Sequence, residues 1–135
     1  MKAVILAVLI FISQPLVSGK ASRDRELECL ATNIYYEARG ESNLGKLAVA
    51  QVTINRAANS SICKEVYRPY QFSWANTNKD LKYTPSTIKV AYTAVYRTHP
   101  LSNFKATHYH NTSVSPYWNK SLKRITQIGN HIFYA

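Results

Sequence analysis

From position 22 to 39 the apolar residues Leu27, Leu30, Ala31, Ile34, Tyr35 and Ala38 recur at helical spacing, with Ser22 or Asp24 offered as N-cap and Gly40 as a stop. On that helix Glu37 falls at the border of the apolar stripe, beside Leu30 and Asn33, half in and half out. The next stretch, NLGKLAVAQVTINRAAN, is apolar almost all round and predicts a buried core helix over 44–58. Gln51 and Asn55 lie four residues apart on its most apolar face. An unpaired amide there costs a few kcal/mol, so each must find a partner, either by orienting a ligand or by capping a buried loop.

Between 62 and 83 the pattern breaks into ICKEVYRPYQFSWANTNKDLKY, rich in aromatics and turn formers, which predicts a long surface loop or a small irregular lobe. A third helix is expected over 85–98, opened by Thr84 and Pro85 and closed by His99 and Pro100. KATHYHN then alternates as a strand does, with His108 and His110 on one side and Thr107 and Tyr109 on the other. The tail SLKRITQIGNHIFYA predicts two short strands around a turn at Gly129 and Asn130. The order predicts an α+β fold: an N-terminal helical part packed with a small antiparallel sheet. There is no internal repeat, low-complexity tract or linker, so residues 22–135 read as one domain.

The opening MKAVILAVLIFISQPLVSG joins a lysine, a short apolar run and small residues near Ser18, Gly19 and Ala21, which is the pattern of an export signal over residues 1–21. The run is shorter than the roughly 20 residues that span a bilayer, so no permanent membrane span is expected once the signal is cut. A cut near Gly19 removes Lys2 alone, leaving 16 Lys and Arg against 7 Asp and Glu, a net charge of +9. Such a balance favours anionic partners without choosing among nucleic acid, acidic lipid and the anionic polymers of a bacterial envelope. Cys29 and Cys63, the two cysteines, both follow the signal; in an oxidising compartment they suggest one disulfide.

An acid that donates a proton near neutral pH needs its pKa raised, and partial burial does this. Glu37 has such an address, although periodicity alone favours a surface acid paired with Arg39 or a lysine. Glu41 follows at four residues, either as a helper to Glu37 or as a cap on the core helix. The other acids of the domain are Asp24, Glu26, Glu28, Glu65 and Asp80, the first three expected in the exposed opening turns of the first helix, so a second catalytic carboxylate is hard to find. The tracts YRPYQFSWAN and YHNTSVSPYW interleave Tyr67, Tyr70, Phe72, Trp74, Tyr109, Tyr117 and Trp118 with amides and hydroxyls, a composition that stacks on sugar rings or on nucleobases. His108 and His110 alone are too thin a set for a metal, and there is no phosphate-binding glycine loop or nucleophile elbow. No cofactor is called for.

In order along the chain, LECLATNIYYEARGESNLGKLAVAQVTINRAAN, ICKEVY, QFSW, ATHYHNTSVSPYW and ITQIGNHIFY resemble the SleB-type cell wall hydrolases, the group of the spore cortex-lytic enzymes and their non-spore relatives. The resemblance covers about residues 26–134. It implies a substrate cleft between the helical part and the sheet, and cleavage of peptidoglycan glycan strands between N-acetylmuramic acid and N-acetylglucosamine by a lytic transglycosylase reaction. It places the catalytic glutamate on Glu37, the first acid of EARGE, and leaves Glu41 as a helper or a cap. Gln51, Asn55, Gln71, Phe72, Trp74, His108, Tyr109 and Trp118 become the expected substrate-binding residues. A wall-binding repeat of the kind that precedes the catalytic part in spore enzymes is not seen, which puts a germination role and dependence on a spore partner in doubt.

The expected protein is thus an exported, periplasmic or secreted monomer acting on glycan strands rather than on nucleic acid. A hydrolytic muramidase with a second carboxylate, a non-catalytic wall-binding module, and a nuclease built on His108, His110 and Asn111 stand as alternatives.

Overall fold

The structure is a computed structural model and describes residues 2–69, 71–77 and 80–135, with residues 2–18 described by their backbone alone. Helix α1 spans Lys2–Ala38, α2 Asn43–Ala57, α3 Ile62–Val66, α4 Ser73–Thr77 and α5 Pro85–Tyr96; strands β1 (His108–Asn111), β2 (Arg124–Ile128) and β3 (His131–Tyr134) follow. This is the α+β order expected from the patterning. One detail differs: α1 is not capped at Ser22 or Asp24 but runs through them. A lone glycine at position 19 costs a helix only about 1 kcal/mol, and no proline stands between it and Ala38. The side chains of the expected signal segment, up to residue 18, lie outside the described residues. Among the described residues no helix is long and apolar enough to cross a membrane.

Helix α2 is central because both of its faces are apolar. One face carries Ala50, with Leu47 and Ile54 beside it, into a cluster with Leu30, Ala31 and Ile34 of α1 and Val90, Ala91 and Ala94 of α5. The opposite face brings Ala48, Val49 and Val52 against Ala106 and Phe133, with Phe104, Tyr109 and Ile128 around them. Phe133 is fully buried, and that burial contributes about 1.5–3 kcal/mol. Asn55 does cap a loop: its Nδ2 donates to the carbonyls of Phe104 and Ala106 at 2.8 Å each, while its Oδ1 accepts from Gln51 Nε2 at 3.0 Å. The segment entering β1 is therefore pinned to α2.

The stretch expected to be an irregular loop contains two short helices. Ser61 caps α3 with its hydroxyl oxygen, and the Glu26 carboxylate of α1 accepts from the Ser61 hydroxyl at 2.5 Å and from the backbone N–H of Ile62. That support arrives from 35 residues away, so local pattern could not show it. Cys29 and Cys63 form the expected disulfide, with Cα atoms 5.3 Å apart, tying α1 to α3. Helix α5 opens with the Thr84–Thr87 capping box and Pro85. It ends at Tyr96 rather than 98 because Arg97 is already extended, in keeping with the approach to the His99–Pro100 pair.

The sheet has the order β1-β3-β2, all antiparallel, with the last strand in the middle. Tyr109 pairs with Phe133 and Asn111 with His131. Between β2 and β3 the chain turns through Gly129, whose φ of +57° is the left-handed region that glycine enters without strain.

Candidate active site

A cleft of about 620 Å³ opens between the end of α1, the segment around α4 and the outer strand β1. Glu37, Arg56, Gln71, Phe72, Ser73, His108, Tyr109, His110, Asn111, Val114, Tyr117, Trp118 and His131 line it. Glu37 is the only carboxylate among the described residues of that lining. It occupies the last turn of α1 and is half-buried, which is where its border position on the helical stripe would put it. Burial pushes its pKa up, and the neighbouring Tyr109 hydroxyl partly opposes the rise.

Tyr109 reaches Glu37 because β1 alternates. His108 and His110 turn toward Trp118, with ring centroids at 5.1 and 5.7 Å, while Tyr109 turns toward Phe133 and His131 at 5.7 and 4.9 Å. The Tyr109 hydroxyl is buried and meets no partner in full hydrogen-bond geometry, yet it lies near enough to Glu37 for each group to shift the other. Its own pKa is driven well up by burial and then by Glu37, so it remains a protonated phenol. The pKa values of His108 and His131 are both lowered, chiefly by burial, which favours the neutral imidazole. His110 is braced by Tyr134, whose hydroxyl lies 2.8 Å from Nε2.

The segment before α4 is anchored from behind. Trp74 donates from Nε1 to the Oδ1 of buried Asn33 at 3.0 Å, Asn33 Nδ2 donates to Thr53 Oγ1 at 3.1 Å, and the Trp74 ring stacks on Tyr36 at 4.6 Å. This anchor delivers Gln71 and Phe72 to the cleft. Gln71 Nε2 is buried there without a hydrogen-bond partner among the described residues, a donor positioned for a ligand carbonyl.

Of the residues expected to bind substrate, the cleft brings together Gln71, Phe72, His108, Tyr109 and Trp118. Trp74 does not line it and serves as the anchor; Gln51 and Asn55 do not line it and pin the loop, because the most apolar face of a core helix points into the core. Glu41 is also outside the lining, and it does not cap α2, whose N-cap is Ser42. Its carboxylate turns to the β2–β3 turn, accepting from the Asn130 N–H at 3.2 Å and lying 3.5 Å from His131 Nδ1. Among the other acids, Glu26 and Glu28 are half-buried rather than exposed, Glu28 accepting from the Tyr83 hydroxyl at 2.9 Å, and Glu65 is buried between Arg56 and Arg68. Sequence reasoning missed Arg56 and His131. A basic residue near a helix C-terminus looks like a solvated end, and only the alternation of His131 with Phe133 in the last strand hinted at an inward histidine. Among the described residues no group of three or more metal-ligating side chains converges.

The profile of the cell wall hydrolase family matches residues 40–134, beginning just after Glu37. A spore cortex-lytic enzyme of Bacillus cereus is 30% identical over 115 residues, covering 80% of this chain and 43% of the relative, so the chain spans less than half the length of that curated protein. The crystal structure of the catalytic domain of the Bacillus cereus SleB protein superposes with a TM-score of 0.71 at 28% identity, over 83% of this chain and 91% of that one. The catalytic domain of a germination-specific lytic transglycosylase, SleB from Bacillus anthracis, gives 0.70 at 28% identity, over 82% and 93%.

Proposed function

From the premise that the chain belongs to the cell wall hydrolase family, we propose that it degrades peptidoglycan by cutting the glycan strand between N-acetylmuramic acid and N-acetylglucosamine as a lytic transglycosylase, with Glu37 as general acid and then base. The observation that carries the reading is the half-buried Glu37, the one carboxylate among the described residues of a cleft lined mostly by amides, imidazoles and aromatic rings, with Arg56 as its one guanidinium. With its pKa raised by burial, Glu37 keeps its proton further toward neutral pH than an ordinary glutamate. It gives that proton to the glycosidic oxygen as the bond to the muramic acid C1 breaks. The Tyr109 phenol then faces the new carboxylate and stabilises its charge, which is the sense in which it lowers the Glu37 pKa.

The carboxylate recovers a proton from the C6 hydroxyl of the same muramic acid while O6 bonds to C1, closing a 1,6-anhydro ring; the acetamido group stabilises the cation between the two steps. No second carboxylate is needed. Hydrolysis would call for one, either to hold water or to form a glycosyl-enzyme, and Glu41 and Glu65 are both engaged elsewhere. A tethered hydroxyl also has a large effective molarity, which suits a small site. Gln71, with its free amide donor, and the Phe72 and Trp118 rings suit acetamido groups and pyranose faces. The basic balance and the N-terminal segment fit action outside the cytoplasm, on the wall.

The test is a digest of purified sacculi with products identified by mass spectrometry, without borohydride reduction. Muropeptides ending in 1,6-anhydro-N-acetylmuramic acid, one water lighter than hydrolytic products, are expected. Products dominated by reducing ends would mean a hydrolase, and binding without release would mean a wall-binding module.

A further inference from the structure

We propose that the Arg56 guanidinium is a carboxylate-reading subsite of the cleft, one that recognises the acidic arm of the muramic acid unit; the proposal rests on the glycan-cleaving reading above. Arg56 stands in the last turn of α2 and is the only arginine or lysine among the described residues lining the cleft. Its Nε donates to Glu65 Oε1 at 3.1 Å. The other oxygen of Glu65 lies 2.8 Å from Arg68 Nη2. The Glu65 side chain is 2% exposed, that of Arg56 24% and that of Arg68 58%. One carboxylate shared by two guanidinium groups leaves an excess positive charge. Arg68 spends its share in solvent, and Arg56 presents its own to the cleft.

The geometry of what remains is specific. With Nε committed to Glu65, the Nη1 and Nη2 pair has no hydrogen-bond partner among the described residues and is not sealed away from the cleft. That pair is the end-on fork that accepts a carboxylate with two parallel hydrogen bonds. Glu65 already holds the side chain in place, so little rotamer freedom is left to lose when an anion arrives.

The location fits a substituent rather than the bond being cut. The charge of Arg56 is felt at His108 and Tyr109, whereas Glu37 is shifted by burial and by Tyr109. A cation touching Glu37 would have lowered its pKa and removed the proton it needs. An anion bound at Arg56 therefore lies beside the proton donor without disabling it. The muramic acid arm carries such an anion in two forms: the lactyl carboxylate where the peptide is absent, and the stem-peptide carboxylates where it is present. N-acetylglucosamine carries neither.

Calorimetric binding, with Glu37→Gln as the parent to block turnover, would use three tetrasaccharides: peptide-free N-acetylglucosamine–N-acetylmuramic acid, its peptide-bearing form, and uncharged chitotetraose. Arg56→Gln should weaken one or both acidic ligands by about tenfold to a hundredfold and leave chitotetraose within about twofold. Loss confined to the peptide-free ligand identifies the lactyl carboxylate, and loss confined to the peptide-bearing one identifies the stem peptide. Because Arg56→Gln leaves the buried Glu65 charge to Arg68 alone, Arg56→Gln/Glu65→Gln is measured alongside and should show the same selectivity. Equal weakening of all three ligands in the double variant, or of none, overturns the proposal. A parent that binds none of the three overturns the glycan reading and this subsite with it.

Discussion

The two faces of the α1–α2 junction hold one carboxylate each, and they make opposite use of it. On the cleft face Glu37 meets Tyr109 and is left without a cation, so burial raises its pKa. On the hairpin face Glu41, with a side chain 11% exposed, is fastened to the Asn130 N–H and lies against His131. The two acids stand four residues apart, but α1 ends at Ala38 and the chain turns at Gly40, so the i to i+4 proximity of a continuous helix never arises. The same functional group becomes a proton store where burial outweighs its phenolic neighbour and a clamp where a backbone N–H and an imidazole hold it.

The sharpest way to break this comparison is Glu37→Gln, which keeps the shape and removes the proton. Release of soluble muropeptides from sacculi should fall by about a hundredfold to ten-thousandfold, with the thermal midpoint unchanged or slightly raised. Near-normal turnover by this variant would abolish the distinction between the faces.

Both faces hang on the helical body, so weakening that body should affect stability without discriminating between them. Replacing Cys29 and Cys63 by Ala removes a bridge spanning 34 residues, at a cost of about 3–4 kcal/mol on the chain-entropy account. Denaturant unfolding should show that loss, while activity per folded molecule stays close to that of the parent. A selective loss of activity would mean that the bridge shapes the cleft directly.

On the hairpin face, Gly129→Ala should cost about 1–3 kcal/mol, because the added Cβ sits in the left-handed region and would lie 2.4 Å from Glu41 Oε2. Glu41→Gln should cost less, about 1 kcal/mol, since the amide oxygen can still accept from Asn130. Its activity should fall only severalfold, through a looser His131. The two changes should couple in a double-mutant cycle, as touching residues do; strict additivity would show that Glu41 does not hold the turn.

The smallest effect is in pH. A glutamate whose folded pKa is raised contributes stability that is full below its ordinary value, near 4.5, and is lost as pH rises through the folded value. Wild-type unfolding free energy should therefore decline across that window relative to Glu37→Gln. Glu41→Gln should leave the decline in place, and its disappearance there instead would exchange the roles of the two acids.

Periodicity by itself determined α2, α5, the end of α1, the strands and the border position of Glu37, because 3.6- and 2-residue repeats record which face meets the core; it missed the short α3 and α4. It also showed that Gln51 and Asn55 must find partners, but not whether those would be a ligand or, as the fold has it, each other and the loop before β1. The cysteine pair was equally legible once export was read from the first residues. What periodicity could not reach were interactions whose partners lie tens of residues away: Glu26 on the start of α3, Asn33 holding Trp74, Glu65 holding Arg56, and Glu41 on the β2–β3 turn. A side chain's role is set by the groups that surround it, and those are brought together only when α2 packs the helices on one face and the sheet on the other. That is why Trp74 reads as a binding aromatic in the chain and is an anchor in the fold, and why Arg56 reads as a solvated helix end and stands in the cleft.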